Sequence, residues 1–290
     1  ARARARRRAP SHGLHVRFSA ASAPPANLSS MATSPASLGA YATISLEELG
    51  GAALMRRQDT KFVFSTALLG QLLAELHEHY SLLEVGGLVR HRYLTRYFDT
   101  AAFDLFNAHH RGMGERVKVR ERQYLTTGQL FLEVKHRNNK GVTDKTRAEV
   151  RDWHEQISGA VMPDRLLGHV TDDDGEGPAL TPTLWNAYQR ITLVSKHRSE
   201  RVTIDTDLTF STNGSYRYGA EGAVVAEVKQ PSIDRASPVM QRLRTLGVRP
   251  SGFSKYCIGV SLLRPDLRHN RFKPRLRNLR RLTEGGALDP

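Results

Sequence analysis

Basic and apolar side chains alternate in the segment GERVKVRERQY at positions 114–124. The basic positions are Arg116, Lys118, Arg120 and Arg122, and valines separate the first three. A period of two is typical of a β-strand, in which successive side chains point to opposite faces. One face of this strand is therefore predicted to be cationic. Such a face could bind an anion, although a half-buried strand that shows its charges to water has the same pattern.

Other segments repeat this alternation. Their predicted charged rows are Arg57, Asp59 and Lys61; Glu133, Lys135 and Arg137; Lys145, Arg147 and Glu149; Arg201, Thr203, Asp205 and Asp207; and Glu227 with Lys229, to which YQRITL adds Arg190. The opposite rows are apolar, and one of them is Val202, Ile204 and Leu208. Asp205 and Asp207 are thus expected to share a face, where they could hold a metal or pair with neighbouring arginines.

Eight segments are predicted to be strands and three to be helices. The strands are 56–64, 88–98, 115–122, 129–137, 145–150, 188–195, 200–208 and 223–229, and the helices are 65–80, 237–247 and 252–263. This content predicts a mainly β fold of the α+β type, with an antiparallel sheet or barrel rather than βαβ units. His109 and His110 are expected to lie in a polar loop.

Two architectures fit these strands. In a sandwich, the apolar faces meet and the charges face solvent. In a closed barrel with a polar lumen, the charges face inward and the apolar faces pack under the helices. A lumen crowded with Arg and Lys is costly unless it takes up an anion, so the barrel implies a polyanionic ligand. Periodicity alone leaves both architectures open.

The chain has 290 residues and a net charge of +14, and much of this charge lies near its two ends. Residues 1–40 contain six arginines and no acidic residue, and they are predicted to form a disordered basic extension. Such a start can be an organelle transit peptide, or translation can begin at Met31. Residues 264–290 form a basic tail, which is expected to be a solvated arm able to bind polyphosphate, RNA or acidic lipid.

Several classes of protein are excluded by what the sequence lacks. The single cysteine, Cys257, excludes an internal disulfide and a cysteine-based metal cluster, and it is expected to be a buried structural thiol. It suits a reducing compartment, so a cytoplasmic location is expected. No apolar run approaches the roughly 20 residues of a membrane-spanning helix. There is no Walker A or GxGxxG motif, which excludes the familiar nucleotide-binding loops.

Eight short segments, in this order and spacing, resemble the VTC (vacuolar transporter chaperone) polyphosphate polymerase domain of the triphosphate tunnel metalloenzyme (CYTH-like) superfamily. They are RQDTKFVFS, RYFDT, RVKVRERQY, FLEVKHRNNKG, WNAYQR, RVTIDTDL, AEVKQ and FSKYCIG. The resemblance runs over about residues 50 to 265. It implies a tunnel domain over 41–263, built as an eight-stranded antiparallel β-barrel with a polar, basic lumen and flanking helices. The implied ligands are a nucleoside triphosphate or phosphate chain and a divalent metal.

The resemblance also assigns roles, motif by motif. The implied catalytic residues are Lys61, Lys118, Arg120, Lys135, Arg190, Arg201, Lys229 and Lys255. The residues implied to bind the nucleotide or phosphate chain are Ser254, Tyr188 and Arg147. Glu227 is the implied ligand of a divalent Mn²⁺ or Mg²⁺, and ATP is the implied substrate.

One position departs from the hydrolytic branch of that superfamily, whose first strand is marked by Glu-x-Glu-x-Lys. Arg57, Asp59 and Lys61 occupy those places here, so one acid has become a base. The exchange weakens a first-strand metal site. It favours an ATP-dependent polyphosphate polymerase, which transfers the terminal phosphate of ATP onto a growing polyphosphate chain.

Two alternatives stay open at this point: a tunnel-type tri- or polyphosphatase, and a non-enzymatic module that binds polyphosphate or nucleic acid. Glu227 speaks against the binding module, because a pure polyanion binder gains nothing from a carboxylate among its cations. ATP and polyphosphate are the expected partners, and no specific nucleic acid is expected. Coupling to transport would need membrane-protein partners.

Overall fold

A strongly curved antiparallel sheet dominates the computed structural model, which describes residues 38–49, 57–158, 179–212, 217–283 and 288–289. Within these residues the sheet has twelve strands. They are β1 (Thr43–Ile44), β2 (Gln58–Ser65), β3 (Tyr80–Leu83), β4 (Arg90–Asp99), β5 (Arg116–Tyr124), β6 (Leu130–Arg137), β7 (Thr143–Val150), β8 (Thr181–Ser195), β9 (Arg201–Ser211), β10 (Arg217–Ala220), β11 (Ala223–Gln230) and β12 (Leu288–Asp289). The helices are α1 (Leu46–Leu49), α2 (Leu69–Ala74), α3 (Asp104–Arg111), α4 (Pro238–Thr245), α5 (Lys255–Leu263) and α6 (Lys273–Leu282), with 3₁₀ turns at Thr66–Leu68 and Asn270–Phe272.

Eight strands run side by side in the order β7-β6-β5-β4-β8-β9-β11-β2, each antiparallel to its neighbours. Strands β10 and β12 extend the sheet beside β9, and β3 and β1 extend it beside β8. Among the described strands, no pairing joins β2 to β7, so the sheet is not closed into the predicted barrel. Strand β7 is largely exposed and polar, and its unpaired edge can be solvated. The sheet still curls until Lys135 on β6 and Lys61 on β2 are close enough for their charges to interact.

The outer face of the sheet is largely apolar, and helices cover the part formed by β2, β8, β9 and β11, as in the polar-lumen architecture. Apolar side chains of β2, β8, β9 and β11 form one core with α2 and α4. Leu69, Leu72 and Leu73 of α2 are fully buried there, together with Val239 and Leu243 of α4. The predicted helix 65–80 is shorter than expected: it ends at Ala74, and the chain re-enters the sheet as β3.

The first described residues also belong to this outer core. Leu38 is buried in it, and the Tyr41 hydroxyl donates a hydrogen bond of 2.5 Å to the carbonyl of Leu73. The ordered chain therefore includes Leu38, which the predicted boundary at 40 had placed in the disordered extension. The rest of that extension, 1–37, lies outside the described residues.

The opposite, inner face carries the charged rows and also packs against α5. Residues 256–263 of this helix are all buried, against Leu184 of β8 and Phe210 of β9 among others. Gly259 makes the close approach possible, because a Cβ there would lie 2.6 Å from the side chains of both. Helix α5 therefore fills part of the inner space and leaves the charged remainder as a channel.

A β-bulge in β9 changes which face its residues occupy. Gln189 pairs with Thr206, but Ala187 pairs with Thr209, and Asp207 has a φ of 52°. The extra residue moves Leu208 into the inner core, while Val202 and Ile204 remain in the outer core. The expectation that Leu208 faces the same side as Val202 is therefore wrong, and so is the expectation that Asp205 and Asp207 share a face.

The basic tail contains an ordered helix. Phe272, Leu276 and Leu279 are buried in the inner core, and the Phe272 ring lies 5.8 Å from that of Phe106. The expected solvated arm is therefore wrong for residues 270–283. His109 lies on α3 beneath this segment and not in a loop, because Phe106 fixes one face of that helix in the core.

We expect Leu279→Ala to destabilise the whole fold, because the side chain is fully buried between the helices and the sheet. The free energy of unfolding should fall by about 2–4 kcal/mol, as for other buried Leu→Ala changes. Chemical denaturation measures this change. Arg277→Ala, at an exposed position of the same helix, is the matched control and should change stability by less than about 0.5 kcal/mol. Equally small changes in the free energy of unfolding for the two substitutions would mean that α6 does not belong to the core.

Candidate functional site

Glu227 lies on β11 between two lysines of the inner face. Its carboxylate accepts from Lys61 Nζ at 2.5 Å and from Lys229 Nζ at 3.0 Å. Lys61 is held opposite it by the register of β2 and β11, and Lys229 also donates to Thr203 Oγ1 at 3.0 Å. Burial alone would raise the pKa of Glu227, but the two ammonium groups hold that pKa well below its usual range. Glu227 is thus ionised and fully engaged.

Asp205 on β9 forms a second cluster with Arg190 and Lys255. Arg190, its neighbour in register on β8, donates from Nε and Nη2 at 2.6 and 2.8 Å, a bidentate geometry. Lys255, the first residue of α5, also contacts Asp205 and lies 4.5 Å from the ring centre of Tyr188. Burial would raise the pKa of Asp205, but the two cations keep that pKa below its usual range.

Glu133 on β6 forms the third cluster, and its side chain is only 2% exposed. Arg120 donates to Oε2 from Nη2 at 2.6 Å, and Lys145 donates to Oε1 at 2.5 Å. Arg122 lies 4.0 Å away. Burial would raise the pKa of Glu133, but these three cations hold the pKa below its usual range. The same carboxylate raises the pKa of Arg120 against the effect of burial.

Lys118 and Lys135 face each other across β5 and β6, next to these clusters. Within the described ranges, neither ammonium lies at ion-pairing distance from a carboxylate. The pKa of Lys118 is lowered to about 8, mainly by burial, and the neighbouring Lys135 contributes in the same direction. Burial also lowers the pKa of Lys135, as does nearby Lys61. Two facing cations with no carboxylate partner among the described residues make a site where a bound anion is stabilised.

Two connected cavities run along this charged face. The larger, about 560 Å³, is bordered by Asp59, Lys61, Ser254 and Cys257, and the smaller, about 230 Å³, by Lys118 and Lys135. Both are lined by His109, Arg116 and Arg137, so they form one channel. Of the residues expected in the site, the structure places Lys61, Lys118, Lys135 and Ser254 on the cavity walls.

The other expected site residues are not among those that line the two cavities. Arg201 pairs in register with Lys229 at the edge of the charged face, where burial lowers its pKa and Arg57 lowers it further. Tyr188 is buried and stacks on Tyr93 with ring centres 5.2 Å apart. Arg147 lies on exposed β7 over the Phe131 ring, outside the three clusters.

Ser254 caps α5, accepting a hydrogen bond from the Cys257 amide at 3.3 Å. It thereby fixes the start of the helix beside the larger cavity. The exposed amides of a helix start and its dipole favour an anion there. Cys257 itself is buried, as expected, and burial raises the pKa of its thiol.

The carboxylates of the inner face are suited to a metal whose remaining ligands are phosphate oxygens. No group of three or more His, Cys, Asp or Glu side chains able to hold a metal occurs in the part of the chain that the structure describes. Glu227 and Asp59 both act electrostatically on Lys229 and Lys135, so they lie in one neighbourhood. Two hard oxygen donors plus phosphate oxygens are a common ligand set for Mg²⁺ and Mn²⁺. Asp207 does not join them, because the bulge directs it toward Arg90.

Three residues of the channel were not recognised in the sequence. His109 was expected in a loop, and Arg271 and Arg275 in a solvated arm, yet all three line the larger cavity. The sequence contains a signal for the helix that positions the two arginines, since Phe272, Leu276 and Leu279 follow the i, i+4, i+7 spacing of an amphipathic helix. No comparable signal indicates His109.

The comparisons with known proteins agree with this picture at the level of family. The model of the VTC domain family matches residues 56–264. None of the curated proteins matches the sequence significantly. No helix among the described residues is long and apolar enough to cross a membrane.

Several solved structures share parts of the architecture at low identity. The putative adenylyl cyclase HpAC1 from Hippeastrum, described as having a dominant triphosphatase activity, is 18% identical, covers 71% of this chain and 96% of its own, and has a TM-score of 0.44. The PH1819 protein from Pyrococcus horikoshii OT3 is 12% identical over 71% of this chain and 98% of its own, with a TM-score of 0.39. A putative adenylate cyclase from Vibrio parahaemolyticus is 11% identical over 69% and 94%, with a TM-score of 0.37. The family assignment therefore rests on the family model.

We expect acid to destabilise the fold through the three inner carboxylates. Their pKa values are lower in the folded chain than in the unfolded chain, where carboxyls titrate near about 4. Their stabilising effect is thus present above that pH and is lost as the pH falls below it. Melting temperature measured from pH 7 to pH 3 should drop steeply below about pH 4.5. Glu133→Gln should lower stability at pH 7 by about 3 kcal/mol and flatten this drop. Exposed Glu149→Gln is the control, and an identical pH profile for both variants would contradict the assignment.

Proposed function

The chain belongs to the VTC domain family, and we propose that it is an ATP-dependent polyphosphate polymerase, which transfers the terminal phosphate of ATP onto a growing polyphosphate chain in the basic channel. One observation carries the choice of transfer over hydrolysis: the inner-face carboxylates Glu133, Asp205 and Glu227 are all committed to ion pairs. A carboxylate with a lowered pKa is a poor general base near neutral pH.

The acceptor in polymerisation does not need such a base. The terminal phosphate of a polyphosphate chain is already ionised at neutral pH, whereas an attacking water has to be oriented and deprotonated. The protein then has to align two anions and screen their repulsion. Lys118 and Lys135, which have no carboxylate partner in the described chain, are suited to that screening.

The ion-paired cations serve as the rigid part of the site. Arg120 and Arg190 are each fixed by a buried carboxylate, so their remaining N–H groups keep their direction before substrate arrives. Donors that are oriented in advance stabilise developing negative charge without reorganising during the reaction. Lys61, Lys229 and Lys255 extend the same wall, Arg201 lies at its edge, and Ser254 with the start of α5 provides amide donors. Tyr188 supports Arg190 and Lys255 by packing beneath them.

A divalent metal, Mn²⁺ or Mg²⁺, would be held by Glu227 with Asp59 and by phosphate oxygens of ATP. When bound, it supplies positive charge to the phosphates being transferred. Lys61 and Lys229 keep Glu227 ionised in the free protein, and binding of the metal would require at least one of these ion pairs to give way to it.

Incubation with ATP and Mn²⁺ is expected to yield long phosphate chains and ADP, detected by gel staining and nucleotide chromatography. Glu227→Gln should reduce the rate at least about 100-fold and leave the affinity for polyphosphate equal or higher, because a negative charge leaves the channel. Exposed Glu149→Gln should behave as the wild type. Release of orthophosphate from tripolyphosphate without chain formation would instead identify a hydrolase. Tight binding without turnover would identify a binding module.

The affinity for tripolyphosphate is expected to fall as the pH rises through about 8. Lys118 and Lys229 have pKa values lowered to about 8 by burial, so each loses its charge there rather than near 10.5. Titration calorimetry from pH 6.5 to pH 9.5 measures the change. Lys118→Arg should flatten the decline, because a guanidinium stays charged over this range. Exposed Lys140→Arg should leave the profile unchanged, and a flat profile for the wild type would contradict the lowered pKa values.

A further inference from the structure

Four arginines line the larger cavity of the channel. Arg116 and Arg137 come from paired positions at the ends of β5 and β6, and Arg271 and Arg275 come from the segment that leads into and forms α6. We call this set the channel mouth. The only carboxylate that lines the same cavity in the described chain is Asp59, which pairs with Arg57 at 3.1 Å.

Backbone contacts, rather than carboxylates, position these arginines. Arg116 donates from Nη1 to the Met113 carbonyl at 2.6 Å, and Arg275 donates to the Arg271 carbonyl at 3.1 Å. The Arg271 guanidinium packs on the backbone of Gly112, where a Cβ would lie 1.9 Å from Nη1. In the parts of the chain that the structure describes, none of the four lies within ion-pairing distance of a carboxylate.

The mouth is therefore a concentration of positive charge that the described protein does not neutralise. Burial lowers the pKa of Arg116, and the charges of Arg137 and Arg271 lower it further, which shows that the three lie close together. Arg271 is exposed and Arg275 half-buried, so both can be reached from solvent. A concentration of like charge of this kind costs free energy unless an anion binds to it.

The mouth is continuous with the charged channel. Arg116 and Arg137 line both cavities, and the smaller cavity leads on to Lys118 and Lys135. Along β5 the basic residues follow at every second position, about 7 Å apart, from Arg116 to Arg122. A short ligand held at Lys118 and Lys135 does not need Arg271 and Arg275, which line only the larger cavity, whereas a longer phosphate chain that extends into the larger cavity reaches them.

We infer that the channel mouth is a second subsite, completed by the C-terminal helix, which binds phosphate chains that extend beyond the channel. This inference rests on the proposed function and adds a dependence on chain length. Arg271 and Arg275 lie beyond residues 56–264, the part that matches the family model. The chain's own C-terminal segment thus supplies half of the subsite.

An inorganic phosphate chain fits this subsite better than a nucleic acid. Proteins that bind single-stranded nucleic acid combine basic side chains with aromatic rings on which bases stack. The two aromatic residues that line the larger cavity, Phe253 and Phe272, are 7% and 8% exposed and belong to the core. The mouth therefore presents charge without a stacking surface.

The test compares two charge-matched double variants of the full chain. Arg271→Gln with Arg275→Gln removes the helix's contribution to the mouth. Arg277→Gln with Arg280→Gln removes two exposed charges of the same helix that do not line the cavity. Each is titrated with tripolyphosphate, long-chain polyphosphate and poly(U) RNA at several salt concentrations, and melting temperatures without ligand show that both variants fold.

We expect the first variant to bind long-chain polyphosphate about tenfold more weakly, with a salt dependence shallower by about one to two released ions, and to bind tripolyphosphate as the wild type does. The second variant should bind both like the wild type. Equal losses in the two variants, or an equal loss for tripolyphosphate, would overturn the subsite. RNA that binds the mouth as strongly as polyphosphate would overturn the choice of ligand. A wild type that binds neither phosphate compound would refute the proposed function itself.

Discussion

Repulsion among the basic side chains of the inner face is the constraint on which the rest of the structure depends. These side chains come from strands across the whole sheet and converge on one concave face. Without compensation, their pKa values would fall and the sheet would open. Three inner-face carboxylates, of which Glu133 and Asp205 are buried, prevent this by taking two or three cations each. Lys118 and Lys135, like the four arginines of the channel mouth, have no carboxylate partner among the described residues, so an external anion can add stability there.

The packing of the molecule serves the same purpose. The outer face is covered by α2 and α4, so the charged face has to be the inner one. Helix α5 then occupies half of the interior, and the bulge at Asp207 provides it with Leu208 and Phe210 as apolar contacts. The other half keeps its charge and its solvent. An apolar wall thus faces a cationic one within a single curved sheet, and Lys255 at the start of α5 joins the two through Asp205.

Much of the arrangement of the charged rows could be predicted from the order of the residues. The period of two identified the charged rows, and Lys118, Arg120 and Lys135 lie where the alternation placed them. The partners of these residues could not be predicted in the same way, because pairs such as Glu133 with Lys145 depend on strand register, which the pattern of one strand does not contain. The bulge at Asp207 was also hidden, since one extra residue leaves the local sequence looking like a regular strand. The C-terminal helix was missed for a different reason: its many arginines obscured three apolar residues at helical spacing.

The missing pairing between β2 and β7 has a consequence for how a polymer can enter, even though the outer edge of β2 bonds the backbone at Pro250 and Ser251. A barrel closed by a continuous hydrogen-bond ladder admits a polymer only through an open end of the barrel, so a free end of the polymer has to enter first. In the part of the chain that the structure describes, the seam between these two strands is bridged by no ladder. Strands β2 and β7 can therefore move apart without breaking a backbone hydrogen bond between them. If the channel takes up polyphosphate as proposed, a long phosphate chain can enter it from the side, so neither end of that chain has to be free.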